Sequence, residues 1–187
     1  MKKRFMDIGN GVRLRAVPLH VAEMEIEAPL SHSFADLKAY MAKALEDVCE
    51  LFGEKGAHAS TRPGLYFFGD KTLLVDLTAA ADPGKGTLRL FIREFAAEHD
   101  CYAVAMITDT WVTAQAKPFP NQVDRSSQDT QRREAIVAEL RVREGNATWI
   151  KMCLYQRRDG KIVWQEIDEE ETPAAKASAI PEWWLGA

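Results

Sequence analysis

No stretch of this sequence approaches the roughly 20 apolar residues a bilayer-spanning helix needs. The basic opening Met1-Lys2-Lys3-Arg4 is not followed by the apolar core of a secretory signal, so a cytoplasmic location is expected. Cysteine is scarce. Cys49, Cys101 and Cys153 are scattered, odd in number and set in apolar patterns. That excludes a disulfide framework and fits a reducing compartment, with all three serving as structural thiols. No excess of positive charge exists either: 24 Lys and Arg stand against 28 Asp and Glu, a net charge of -4. A protein that coats nucleic acid by bulk charge is thereby disfavoured. G-x-S-x-G, H-E-x-x-H and a true P-loop are all missing, so no motif names an enzyme. No cofactor and no metal are expected.

What is present is ordinary globular material: 187 residues, 47% hydrophobic and 28% charged. The reading is one domain over 1–187 with an N-terminal arm, 1–31, and a C-terminal tail, 168–187, that docks on the domain or on a partner subunit. Cys101 to Gln115 organises the rest. Its first seven residues are apolar on both faces, as in a strand buried on both sides, so it becomes the central strand. Residues 34–52 predict a helix capped by Ser33 with Asp36, striped by Phe34, Leu37, Met41, Leu45, Val48 and Phe52, and stopped by Gly53. Leu65–Phe68 and Thr72–Thr78 predict a hairpin. A second helix, capped at Gly86 or Thr87, buries Leu88, Phe91, Ile92 and Phe95. In the arm, Val12–Val17 alternates like a strand and Val21–Ile26 could form another.

Glu134–Arg143 alternates, with Ile136, Ala138, Leu140 and Val142 on one face and Val137, Glu139, Arg141 and Arg143 on the other. Asp159-Gly160 is a two-residue turn that pairs Arg158 with Lys161. A three-residue loop at 145–147 sets Leu140 opposite Met152, apolar against apolar, and is chosen for that reason. This register builds an outer face carrying Arg141, Arg143, Trp149, Lys151, Tyr155, Arg157 and Trp164, near Trp183 and Trp184 of the tail. Aromatics among basic groups can hold nucleic acid, but the interleaved acids favour a face covered by the tail, the arm or a second copy. The same register puts Cys153 between Glu139 and Glu166, where carboxylates would disfavour a thiolate.

Three weaker features complete the set. Thr108, Asp109 and Thr110 follow the buried half of the central strand and could line a pocket bounded by the polar stretch 118–132. Gly84, Lys85, Gly86 and Thr87 could hold an anion at a helix start, although a plain capped turn is the favoured account of them. His20, Glu23 and Glu25 lie close in sequence but match no ligand set. The fold expected is α+β: a mainly antiparallel sheet of about six strands, both amphipathic helices on one face, one β-α-β crossover, then a C-terminal meander. The function expected is a non-enzymatic binding or scaffold protein that self-associates as a homo-oligomer. A small enzyme near Asp109 is the alternative, and a single-stranded nucleic-acid binder a weaker one. No membrane partner is expected.

Overall fold

The computed structural model describes residues 5–7, 13–15, 20–56, 64–78, 84–113, 132–144 and 147–172. Among these residues nine strands and two helices follow one another: β1 (Phe5–Asp7), β2 (Arg13–Arg15), β3 (His20–Glu25), α1 (Phe34–Lys55), β4 (Gly64–Phe68), β5 (Thr72–Thr78), α2 (Gly84–Glu98), β6 (Ala103–Thr113), β7 (Arg132–Val142), β8 (Thr148–Arg158) and β9 (Lys161–Thr172). Among the described residues β1 and β2 pair only with each other. The other seven form one antiparallel sheet in the order β3-β5-β4-β6-β7-β8-β9. The expected α+β class is therefore the observed one. β6, from the stretch read as organising the chain, is the fourth strand of seven and sits in the middle. β5 and β6 both run antiparallel to β4, hence parallel to each other, with α2 crossing between them. β6 to β9 form the meander.

The sheet has seven strands because His20–Glu25, placed in the arm from sequence, pairs along β5 as an edge strand. At the other end, Asp168–Thr172 continues β9 and is not tail.

α1 begins where its cap predicts. Ser33 Oγ accepts from the Asp36 amide at 3.1 Å, closing a free N–H of the first turn. It runs three residues beyond the expected stop at Gly53 and ends at Gly56, whose φ of 71° supplies the left-handed residue a helix terminus favours. Leu37, Met41, Leu45 and Phe52 are fully buried. Burying each such side chain contributes about 1.5–3 kcal/mol. α2 starts at Gly84, earlier than the cap read at Gly86 or Thr87, so Gly84–Thr87 is its first turn.

The helices do not share a face. The α1 stripe packs with Tyr66 and Phe68 of β4, Ala103, Ala105 and Ile107 of β6, and Ile136, Ala138 and Leu140 of β7. Ile92, Phe95 and Ala96 of α2 pack with Leu65 and Phe67 of β4 and Val104 and Met106 of β6. Successive strand residues point to opposite faces, so α1 and α2 cover opposite sides. The continuous apolar run of β6 required cover on each side, and two helices on one face could not supply it.

The β7–β8 register also differs from the expected one. Leu140 lies opposite Trp149 and Arg141 opposite Thr148, three residues away from the Leu140–Met152 pairing. An odd shift exchanges faces. Trp149, Lys151, Cys153 and Tyr155 thus lie on the α1 side with Leu140, while Arg141 and Glu139 lie on the other. The β8–β9 turn does pair Arg158 with Lys161, and Asp159 and Gly160 take φ of 49° and 75°. A bulge between Cys153 and Tyr155 then offsets the ladder, so Ile167 meets Cys153 rather than Met152.

Candidate functional site

Alternation along β6 carries the α1-facing row Ala103, Ala105, Ile107 on to Asp109, where the apolar core gives out. On β7 the same row ends in Glu134, and on β8 it ends in Tyr155 and Arg157. These four side chains meet beyond the C-terminal half of α1. The Tyr155 hydroxyl donates to Asp109 Oδ1 at 2.7 Å and accepts from Arg157 Nη2 at 3.0 Å. Arg157 Nε donates to Glu134 Oε1 at 2.9 Å, and its Nη2 lies 3.8 Å from Asp109 Oδ2. The guanidinium carbon stands 5.5 Å from the Phe52 ring centroid and 5.4 Å from that of Tyr155, within cation–π range. Phe52, Tyr155 and Trp164 form a ring cluster, with Tyr155 5.0 Å from Phe52 and 5.8 Å from Trp164.

Burial raises the Asp109 carboxyl above its ordinary value, against the hydrogen bond from Tyr155. Burial also pushes the Tyr155 phenol well up, and the Asp109 hydrogen bond adds to it. The phenol therefore keeps its proton at neutral pH. With Asp109 and Glu134 engaged by Tyr155 and Arg157, the cluster is a mutually satisfied network.

Beside it, α1, β8 and β9 enclose a cleft of about 340 Å³, lined by Leu45, Glu46, Cys49, Glu50, Lys151, Cys153, Leu154, Trp164 and Gln165. Its volume falls at the lower end of small-molecule sites, which span about 300–1,000 Å³. Trp164 is 40% exposed at the mouth. Cys49 and Cys153 lie across from one another, on α1 and β8, and both line the cleft. No family model, curated protein or solved structure matches the chain.

Of the residues singled out from sequence, Asp109, Tyr155 and Arg157 converge in the polar cluster, and Lys151 and Trp164 in the cleft. Thr108 and Thr110 do not join Asp109. The Thr108 hydroxyl donates to the Asp109 carbonyl at 3.4 Å, and Thr110 is exposed. The residues read as one aromatic and basic face do not share a face. Trp149 and Arg141 are each 0% exposed and lie on opposite sides of the sheet, Tyr155 is buried against Phe52, and Arg143 pairs with Asp100 at 3.2 Å. The carboxylates expected around Cys153 are not its strand neighbours: Glu139 pairs with Ile150, and Cys153 with Ile136 and Ile167. Trp183, Trp184, nearly all of the 118–132 stretch and the side chains of Gly84–Thr87 lie outside the described residues. Among the described residues no three His, Cys, Asp or Glu cluster as a metal site, and no helix is long and apolar enough to cross a membrane.

Sequence reasoning missed Glu134, Phe52 as a cluster residue, and Cys49. A signal for Cys49 existed: Leu45, Cys49 and Phe52 recur at four- and three-residue steps, one face of a helix.

Proposed function

We propose that the chain is a non-enzymatic binding protein that takes a small, mainly apolar molecule into the cleft between α1 and the β8–β9 ribbon. The observation that carries this is the cleft itself, a cavity of about 340 Å³ lined by Leu45, Cys153 and Trp164 among others. Apolar walls with a few polar groups at the rim are the usual form of such sites. Glu46, Glu50 and Lys151 at the rim would orient a polar end. The neighbouring polar cluster favours binding over catalysis. Its phenol, carboxylates and guanidinium are engaged with one another, which suits a structural network beside a binding cleft. The neutral fluorophore N-phenyl-1-naphthylamine is a suitable probe. Saturable fluorescence enhancement is expected, with affinity lowered several-fold by Trp164→Ala and by Leu45→Trp, which fills the cavity. Enhancement that is not saturable, or that both variants leave unchanged, would defeat the reading.

Self-association has its own support. Val163 and Trp164 stand exposed on β9, the last strand of the sheet among the described residues. An unpaired strand edge with apolar side chains is a template for a second copy. Light scattering over a dilution series is expected to show a concentration-dependent mass that Val163→Lys reduces. A constant monomer mass would remove it.

A further inference from the structure

Three free cysteines occupy two different environments. Cys101 is 1% exposed, packed among the α2 cluster on the far side of the sheet. Burial pushes its thiol up to about 12. Cys49 and Cys153 are half-buried and face the same open cleft from α1 and β8. Lys151, two residues before Cys153 on the same face of β8, lines that cleft with them. Glu46, one turn before Cys49, and Glu50, the residue after it, are the opposing charges.

From this arrangement we propose that Cys49 and Cys153 form a reversible dithiol–disulfide pair, oxidised by a low-molecular-weight disulfide that enters the cleft. The reading is independent of whether the cleft has an apolar ligand. The two sulfurs have different roles. The neighbouring Cys49 thiol, as donor, holds the Cys153 thiol below its ordinary value, aided by the Lys151 ammonium and opposed by burial and by Glu46. Donation to Cys153, with burial, raises Cys49. Thiolate is the attacking form, so Cys153 is the entry point and Cys49 the resolving thiol.

The Cys153 proton passes to solvent, and the thiolate attacks one sulfur of the disulfide RSSR. The RS–SR bond breaks, a Cys153–S–SR bond forms, and the departing thiolate is protonated to RSH. Cys49 then loses its proton and attacks Cys153 Sγ. The mixed disulfide breaks, the Cys49–Cys153 bond forms, and the second RSH leaves. Two protein thiols are oxidised and one RSSR is reduced to two RSH. Excess monothiol reverses both steps. The closed bond would tie α1 to β8 across the cleft.

Incubation of the full chain with glutathione disulfide, followed by intact-mass and non-reducing peptide mapping, tests this. The expected product has lost two hydrogens, links the Cys49 and Cys153 peptides, and keeps Cys101 free. Cys49→Ser should accumulate one stable glutathione adduct at Cys153, whereas Cys153→Ser should react many-fold more slowly. Limiting iodoacetamide on the unsubstituted chain should label Cys153 first and Cys101 last, which needs no substitution. Three free thiols after incubation, a link through Cys101, or equal labelling of Cys49 and Cys153 would each overturn the proposal.

Discussion

The hydroxyl of Tyr155 serves two charged neighbours at once, donating to Asp109 and accepting from Arg157. Hydrogen bonds to charged groups contribute about 1.5–3 kcal/mol, and removing one partner leaves the other desolvated. Tyr155→Phe keeps the ring against Phe52 and Trp164 and removes only the oxygen. It is expected to lower unfolding stability by about 1–3 kcal/mol in a urea titration at neutral pH. The pH dependence follows from the direction of the phenol's shift. The unfolded phenol ionises near 10.0, and the folded one above it. The folded state thus binds the proton more tightly, and stability from this source is complete below pH 10 and lost as pH rises through the folded value. Wild type should therefore lose stability above pH 10 more steeply than Tyr155→Phe. Parallel alkaline limbs would show that the network does not hold the phenol. Asp109 was visible in the sequence as a polar residue ending a buried strand. Its partners Glu134, Tyr155 and Arg157 were not, because they meet it only through the register of β7 and β8.

At the scale of elements, the β7–β8 pairing was the step that sequence could not decide. Alternation selects a register when one face is buried and the other wet. Here β8 presents Trp149, Cys153 and Tyr155, interrupted by Lys151, to one face and Ile150, Met152 and Leu154 to the other, largely apolar on both sides. Pairing Leu140 with Met152 or with Trp149 is then equally apolar, and the longer connection, in which the Val142 amide donates to the Ala147 carbonyl at 2.9 Å, settles it. By contrast the Asp159-Gly160 turn and the α1 cap were legible, since each depends on local backbone chemistry alone. Trp149→Ala checks the observed register. On an open face it would be nearly silent, whereas from a site with 0% exposure it should cost about 3–5 kcal/mol in chemical denaturation. The α1 terminus yields a second test. A methyl group at Gly160 would meet nothing within 4 Å, so Gly160→Ala carries only the left-handed backbone cost of about 1–2 kcal/mol. A methyl at Gly56 would lie 2.9 Å from the Gly160 carbonyl oxygen as well as bearing a positive φ. Gly56→Ala should therefore be the more damaging of the two by thermal unfolding. Equal losses would mean that α1 does not abut the β8–β9 turn.

For the molecule as a whole, one sheet serves two cores, with α1 on one side and α2 on the other, and β3 and β9 at its margins. An antiparallel sheet covered on both faces leaves its edges as the places where another chain can add. Both margins are acidic in sequence. β3 carries Glu23 and Glu25, and β9 carries Glu166 and Asp168–Glu171. Two copies meeting β9 to β9 would bring these acids together, and a β3-to-β9 contact would do the same. Screening reaches about 10 Å at 0.1 M salt and about 3 Å at 1 M, so the repulsion between such edges should fade across that range. The apolar part of the contact, Val163 and Trp164, does not depend on salt in this way. Association through β9 is thus expected to strengthen as salt rises from 0.1 to 1 M, seen as increasing mass by light scattering at fixed protein concentration. Replacing Glu169 and Glu170 by glutamine should reproduce much of that gain at low salt. Weakening of the assembly by salt would instead assign the contact to paired opposite charges and take it away from the β9 edge.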